Sequence, residues 1–300
     1  MMVDLQAMIR ERYSVRLYRE SPIADDLQAA LLHKLDGLRR GPLGSAMRFD
    51  LAAATKEDRA ALRGLGTYGF IRNPAGFIIG AVEAGGHAME DFGYLMEAAI
   101  LEATALGLGT CWLGGSFTQS SFAEKIGKRD GEIIPAVVAI GYAAPEARAK
   151  DLLRRGARAD TRLPWEKLFF DGSFRQPLTR SVQAGAYAQA LEMVRLGPSA
   201  SNKQPWRILK DGRRWHFYCQ RTSGYGKGSW YFNLLRLADL QRLDVGIAMC
   251  HFALTAQQMD QRGEWTVSEP DLETPDDQTF YVVTWDSEGI EGSADDKQTA

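Results

Sequence analysis

Cysteine and histidine are scarce in this sequence, with three Cys and four His among 300 residues. Cys111, Cys219 and Cys250 are odd in number and lack paired spacing, which excludes a disulfide framework. His33, His87, His216 and His251 supply no zinc-ligand spacing beside them, so no metal is expected. Each cysteine has apolar neighbours, which predicts small buried thiols in a reducing compartment. Charge of one sign is also lacking. The 36 Lys and Arg against 38 Asp and Glu leave a net charge of −2, too little to draw nucleic acid by a general positive field. The first residues carry Asp4, Arg10, Glu11 and Arg12 and lack the apolar stretch of roughly 7–15 residues that marks a secretion signal. Nowhere does an uncharged apolar run reach the roughly 18 residues of a membrane span. The expectation is a cytoplasmic protein that binds a small molecule rather than nucleic acid or membrane.

What is present is an ordinary folding composition, 45% hydrophobic, 10% aromatic and 25% charged, with chain enough for one large domain or two. Apolar periodicity after Asp25-Asp26 predicts a helix stopped by Gly41-Pro42. Met47–Ala54, Ala75–Glu83 and Ile133–Tyr142 read as strands, the second so apolar that it belongs in the middle of its sheet. Between them His87–Leu108 reads as a helix buried on most faces. The second half repeats this order. A helix from about Arg180 to Leu196 ends in Gly197-Pro198, strands follow at Trp206–Lys210 and Trp215–Gln220, and a long apolar helix spans about Leu237–Gln261. Strands near Trp265 and at Thr279–Trp285 close the series. Similar elements in similar order predict one α+β unit used twice, with the long helices packed at a pseudo-twofold axis. The expected division is a first half at 1–178, a second at 179–286, and a polar tail from 287.

Three motifs carry chemistry. Arg12-Tyr13-Ser14-Val15-Arg16, if extended, projects Arg12, Ser14 and Arg16 to one side, two guanidinium forks around a hydroxyl, which suits a phosphate. A solvated basic segment is the alternative. Gly197-Pro198-Ser199-Ala200-Ser201-Asn202-Lys203-Gln204-Pro205-Trp206 gathers Ser199, Ser201, Asn202 and Gln204 in a proline-fixed loop of small residues where a flat polar heterocycle can dock. Gly107-Leu108-Gly109-Thr110-Cys111-Trp112-Leu113-Gly114-Gly115 follows a helix instead of opening one, so it is no dinucleotide loop. Gly107 and Gly109 read as a helix cap and turn, whereas Gly114-Gly115 lets a planar ligand approach the backbone.

Together these motifs resemble, over about residues 8–286, the nitroreductase family of flavin mononucleotide (FMN) oxidoreductases, in particular its branch with two nitroreductase-like halves joined in one chain. The resemblance implies a duplicated α+β fold, an internal pseudo-dimer with central long helices flanked by mixed, mainly antiparallel sheets. It implies FMN held by Arg12, Tyr13, Ser14, Val15 and Arg16 on its phosphate and ribityl side. Pro198, Ser199, Ser201, Asn202 and Gln204 would reach it from the other half, with Leu113, Gly114 and Gly115 near ring atom N5. Arg162, in Arg162-Leu163-Pro164-Trp165-Glu166, matches the family's basic phosphate contact. Two departures stand out. Gly41-Pro42-Leu43-Gly44-Ser45 lacks the Asn and Gln of its counterpart, so one complete flavin site per chain is expected beside a vestigial one. Arg72 and Asn73 do not align cleanly with the family's pyrimidine-side pair.

The activity so implied is hydride transfer from NAD(P)H through FMN to a nitroaromatic, a quinone or a similar electrophile, with no protein nucleophile required. The alternative is a flavin-binding or remnant protein acting through a protein partner. Gly224–Tyr231 reads as a mobile loop or a substrate lid, with Tyr225, Lys227 and Trp230 over the ring. A monomer with its own pseudo-twofold is expected in preference to an obligate homodimer. His251, inside an apolar helix, reads as a hydrogen-bonded core residue.

Overall fold

A computed structural model describes residues 4–53, 71–114, 119–148, 151, 155–156, 158–180, 183–225 and 238–287. Among the described residues the strands form two sheets. The first holds β1 (Met47–Ala53), β2 (Gly76–Glu83), β3 (Gly109–Leu113), β4 (Glu132–Ile133) and β5 (Val137–Gly141). Its order is β1-β2-β5-β3, with β4 pairing β2, and every pairing is antiparallel. β2 is buried except at Glu83 and lies between β1 and β5, the central place its apolar run predicts. The single strand expected at Ile133–Tyr142 is two pieces. Pro135, which has no N–H to give a ladder, separates β4 from β5.

The second sheet has the order β10-β11-β9-β8-β6-β7, where β6 is Phe169–Asp171, β7 Ser173–Pro177, β8 Trp206–Asp211, β9 Arg214–Gln220, β10 Gly263–Thr266 and β11 Thr279–Ser287. Its pairings are antiparallel except for β6 beside β8. β6 and β7 lie N-terminal to the division expected after residue 178, yet their hydrogen bonds place them in this sheet. Leu168, Phe169 and Leu178 are buried with its core. The chain thus crosses to the second sheet before the helix that opens the repeat. That helix, α5, is shorter than its periodicity suggests. It spans Ala188–Leu196, after a 3-10 turn at Gly185–Tyr187 in which Gly185 takes a φ of 52°.

Between the sheets run α3 (Ala88–Ala105) and α6 (Leu240–Gln258), both buried along most of their length. Around them lie α1 (Leu5–Glu11), α2 (Asp25–Asp36), α4 (Gln119–Lys125) and α5. Glycine sets the crossing of α3 and α6. A Cβ on Gly93 would stand 2.1 Å from the Leu243 carbonyl oxygen, and one on Gly246 would stand 2.1 Å from that of Glu90. Each glycine meets the residue three before the other glycine, the reciprocity a twofold axis produces. The cores interleave across this seam. Leu243 and Ile247 of α6 are buried with the first sheet's core, while Leu43 and Tyr94 pack against the Trp206, Trp215, Phe252 and Trp285 cluster of the second. Ile9, Ala98, Leu101, Met193 and Cys250 join α1, α3, α5 and α6. All three cysteines are free and buried, as their neighbours predict. No described helix is long and apolar enough to cross a membrane.

Candidate functional site

Of the three side chains expected on one side of the first motif, Ser14 and Arg16 share a face and Arg12 does not. After α1 ends, Val15 N–H donates to Thr110 O at 2.8 Å, which lays the segment beside β3. Val15 then turns into the core, where it occupies the space a Cβ on Gly109 would need. Gly109 is therefore small for packing, and Gly107, at φ 76°, caps α3. With Val15 inward, Ser14 and Arg16 face a cleft.

That cleft, of about 190 Å³, gathers residues far apart in sequence: Ser14 and Arg16, Trp112 of β3 and Gly114 just after it, Pro198–Ser201, and Tyr225. Its floor comes from Leu240, Leu243, Asp244 and Ile247 of α6, with Ala136. One wall is apolar and the other carries hydroxyls and a guanidinium, the two-sided chemistry of a pocket for a ring that bears a polar tail. A Cβ at Gly114 would come within 2.7 Å of the Leu240 Cδ2 methyl, so glycine lets the β3 end approach α6 without displacing that side chain.

The loop after α5 is bent into an unusual shape. Ser201, Asn202 and Gln204 have φ of 51°, 56° and 50°, left-handed values that cost non-glycine residues of order 1–3 kcal/mol each. Interactions around the loop hold it there. Ser199 Oγ accepts from Gln204 N, Ala200 N–H donates to the Asp244 carboxyl, and Tyr225 Oη donates to Ser201 Oγ. Asn202 Nδ2 donates to the carbonyls of Arg158 and Thr161, and Gln204 Oε1 accepts from Leu163 N. Arg162 donates to the carbonyls of Ala159, Thr161 and Leu196. Arg162, Asn202 and Gln204 therefore clamp the 158–163 segment onto the loop and do not line the cleft, a departure from the expected ligand contacts. Their polar groups meet backbone groups that tertiary packing brings within reach, which no spacing in sequence announces.

Other expected positions divide similarly. Arg16 Nη1 donates to Asp151 at 2.7 Å, which leaves the fork's other N–H groups for the cleft side. Arg12 lies behind the cleft, its side chain 6% exposed and 3.7 Å from the Glu97 carboxylate. Its Nη1 is buried without a hydrogen-bond partner among the described residues. Tyr13 sits under the Arg148 guanidinium, and Leu113 is buried in the first half's core. Gly115, Lys227 and Trp230 lie outside the described residues.

Sequence reasoning missed the residues behind these walls. Trp112 Nε1 donates to Glu97 Oε2 at 2.8 Å, and Glu97 Oε1 is 3.0 Å from His251 Nε2. His251 Nδ1 is 2.9 Å from Met193 O, so both ring nitrogens face oxygen atoms. Burial opposes the Glu97 charge, but His251, Arg12 and Trp112 outweigh it and hold the carboxyl below its usual range. His251 is the hydrogen-bonded core residue expected. Asp244 also escaped notice, although a signal existed. Asp91-Phe92-Gly93 and Asp244-Val245-Gly246 place an Asp two residues before each crossing glycine. Each Asp receives amide protons from its own half's Gly-Pro loop, Asp91 from Leu43 and Ser45, Asp244 from Ala200.

The described residues form an α+β fold with paired buried helices and a two-sided cleft at their seam. The chain belongs to the nitroreductase family described as "Putative TM nitroreductase", whose profile matches residues 4–256. The family resemblance read from the motifs is thereby borne out. Among solved structures, a "putative nitroreductase" of Thermotoga maritima is similar over 95% of this chain and 94% of its own, with 17% identity and a TM-score of 0.57. A nitroreductase family protein of Clostridium novyi matches 48% of this chain and 87% of its own at 17% identity and a TM-score of 0.40. A nitroreductase with bound FMN from Desulfitobacterium hafniense matches 47% and 90% at 19% identity and 0.37. No curated protein matches the chain.

Proposed function

We propose that the protein is an FMN-dependent oxidoreductase whose flavin occupies the cleft between the Arg12–Arg16 segment and the Pro198–Gln204 loop. The observation that carries this reading is the meeting of Ser14, Arg16, Gly114 and Pro198–Ser201 around one space, together with membership of the family. The residues present fit such a group. Small residues admit a ring, Leu240, Leu243 and Ile247 give it an apolar bed, and Arg16 supplies donors for its polar tail. Held there, FMN would supply hydride chemistry between NAD(P)H and an electrophile such as a quinone or nitroarene. The chain's own residues bind and orient it. Ser14 and Ser199 offer hydroxyls, Gly114 keeps the backbone close to the ring edge, and Trp112 walls the cleft. Expression in the cytoplasm and a monomeric, internally pseudo-dimeric state complete the proposal.

One flavin per chain is expected. The loop matching Pro198–Ser201 in the first half is Pro42–Ser45, where Leu43 packs with Tyr94 and Trp165 against the second core and Asp91 takes up the amides. Apolar filling occupies the equivalent place. Purified protein titrated with FMN and assayed for NADH or NADPH oxidation with a quinone tests this reading. A stoichiometry near one and turnover support it, and a protein that takes up no FMN overturns it. A flavin-loaded protein inert to every donor favours the partner-protein alternative.

At about 190 Å³ the cleft is smaller than the roughly 300 Å³ of ordinary ligand pockets, so a flavin-sized ligand needs a wall to move. Tyr225 is the candidate, because its side chain is held by one neutral hydrogen bond of 3.2 Å to Ser201, worth about 1 kcal/mol, and by the Lys203 ammonium 5.3 Å from its ring centre. Tyr225→Phe is expected to raise the rates of FMN entry and exit severalfold by stopped-flow fluorescence. Unchanged rates would remove Tyr225 from the gate.

A further inference from the structure

Asp91 and Asp244 hold matching places on the two long helices, but their carboxyls are not equally satisfied. Asp91 receives two amide protons, one on each oxygen, from Leu43 and Ser45 at 2.8 Å. Asp244 receives one, shared, with Ala200 N at 3.0 and 3.1 Å from its two oxygens. No second donor reaches it among the described residues. It is nonetheless 2% exposed, and it forms part of the cleft wall with Ser14, Arg16, Gly114 and Ser199.

A buried carboxylate with half the donors of its counterpart is a costly arrangement. The charged groups on the surrounding elements give it no relief. Arg16 sits on Asp151, Arg12 beside Glu97, Arg221 on Asp239 and Arg242 on Glu90. Burial pushes the Asp244 carboxyl far above its ordinary range; the Ala200 amide opposes this, while Asp239 and Glu97 reinforce it. The first half has no such problem, since Asp91 spends both oxygens on its loop. What the second half leaves over is unused hydrogen-bonding capacity on a carboxyl that lines the cleft.

We propose that Asp244 keeps its proton at neutral pH and donates the O–H into the cleft, so that this wall selects a ligand presenting a hydrogen-bond acceptor, such as a carbonyl or unprotonated ring nitrogen of an oxidised flavin. The inference rests on the flavin reading above and adds to it a donor from α6. A carboxylic acid, unlike a backbone amide, can lose that donor on ionisation. Ligand affinity must then fall as pH rises through the carboxyl's titration, because only the protonated form offers the bond.

The test uses full-length protein and FMN as the probe. Infrared difference spectra of the FMN-free protein should show a protonated-carboxyl carbonyl band at neutral pH that Asp244→Asn removes and Asp91→Asn does not. FMN affinity of the wild type should drop about tenfold across alkaline pH, the loss of one hydrogen bond of about 1.4 kcal/mol. Asp244→Asn keeps an acceptor for Ala200 and an N–H donor for the cleft, so its affinity should stay within a few-fold of wild type and lose the pH dependence. An absent band, a flat wild-type profile, or an Asn variant that retains the full profile overturns the proposal while leaving the flavin reading intact. Wild-type protein that binds no FMN at any pH overturns both.

Discussion

Gly93→Ala is expected to destabilise the protein by about 2–4 kcal/mol, the scale at which overpacking a filled interior costs 1–3 kcal/mol and sometimes more. Alanine is the better helix former by about 1 kcal/mol, so propensity alone predicts the opposite sign. Geometry decides between them. The new methyl would stand 2.1 Å from the Leu243 carbonyl oxygen and 3.0 Å from its carbonyl carbon. Those are backbone atoms and cannot rotate away as a side chain can. Relief requires α3 and α6 to separate, and that seam joins the cores under both sheets. Gly246→Ala should behave alike against Glu90 O. Because each substitution opens the same seam, the double variant should lose less than the sum of the two. Urea denaturation of the three variants checks this. A midpoint for Gly93→Ala equal to wild type would show that the crossing is not held by glycine contact.

Glu97→Ala is expected to cost about 3–5 kcal/mol, the usual loss when one partner of a buried ion pair is removed. Glu97 and its ion-pair partner Arg12 are essentially buried, at 0% and 6% side-chain exposure. Truncation therefore strands the His251 ring, the Trp112 indole and the Arg12 guanidinium away from water. Glu97→Gln keeps the shape and an acceptor for Trp112, so it should cost less but still weaken the link to His251. The pH dependence has a fixed sign. Glu97 titrates below its unfolded value in the fold, so its contribution is complete above the ordinary glutamate range and is lost as pH falls through the lowered folded value. Wild-type stability should decline on acidification, and Glu97→Gln should remove part of that slope. Equal slopes in the two proteins would contradict the role given to the pair. Trp112 fluorescence is expected to shift in the variant, since its Nε1 would lose a charged acceptor on the cleft wall.

Strands and helices were legible wherever one period dominated. The apolar run at Ala75–Glu83 announced a central strand and became β2, and the Ala-rich stretch after His87 became α3. Boundaries failed where a single residue overrode the period, at Pro135 between β4 and β5 and at Gly185 before α5. Within the candidate site, Ser14, Arg16, Gly114, Pro198, Ser199 and Ser201 were marked by motif and meet at one cleft. Arg162, Asn202 and Gln204 were marked by the same motifs and serve as a clamp. A side chain's type fixes what it can bond, but its partner depends on which backbone groups the fold brings near.

By itself the sequence determined the α+β alternation, the family and the loops of small and polar residues, because local chain stiffness and side-chain chemistry act over a few residues. Only tertiary structure decided that β6 and β7 join the second sheet, that Glu97 meets His251 across 154 positions, and that Asp244 lines a cleft while Asp91 accepts an amide on each oxygen. Those outcomes come from contacts between distant segments, which form only when burial of the α3–α6 seam repays the entropy of closing long loops.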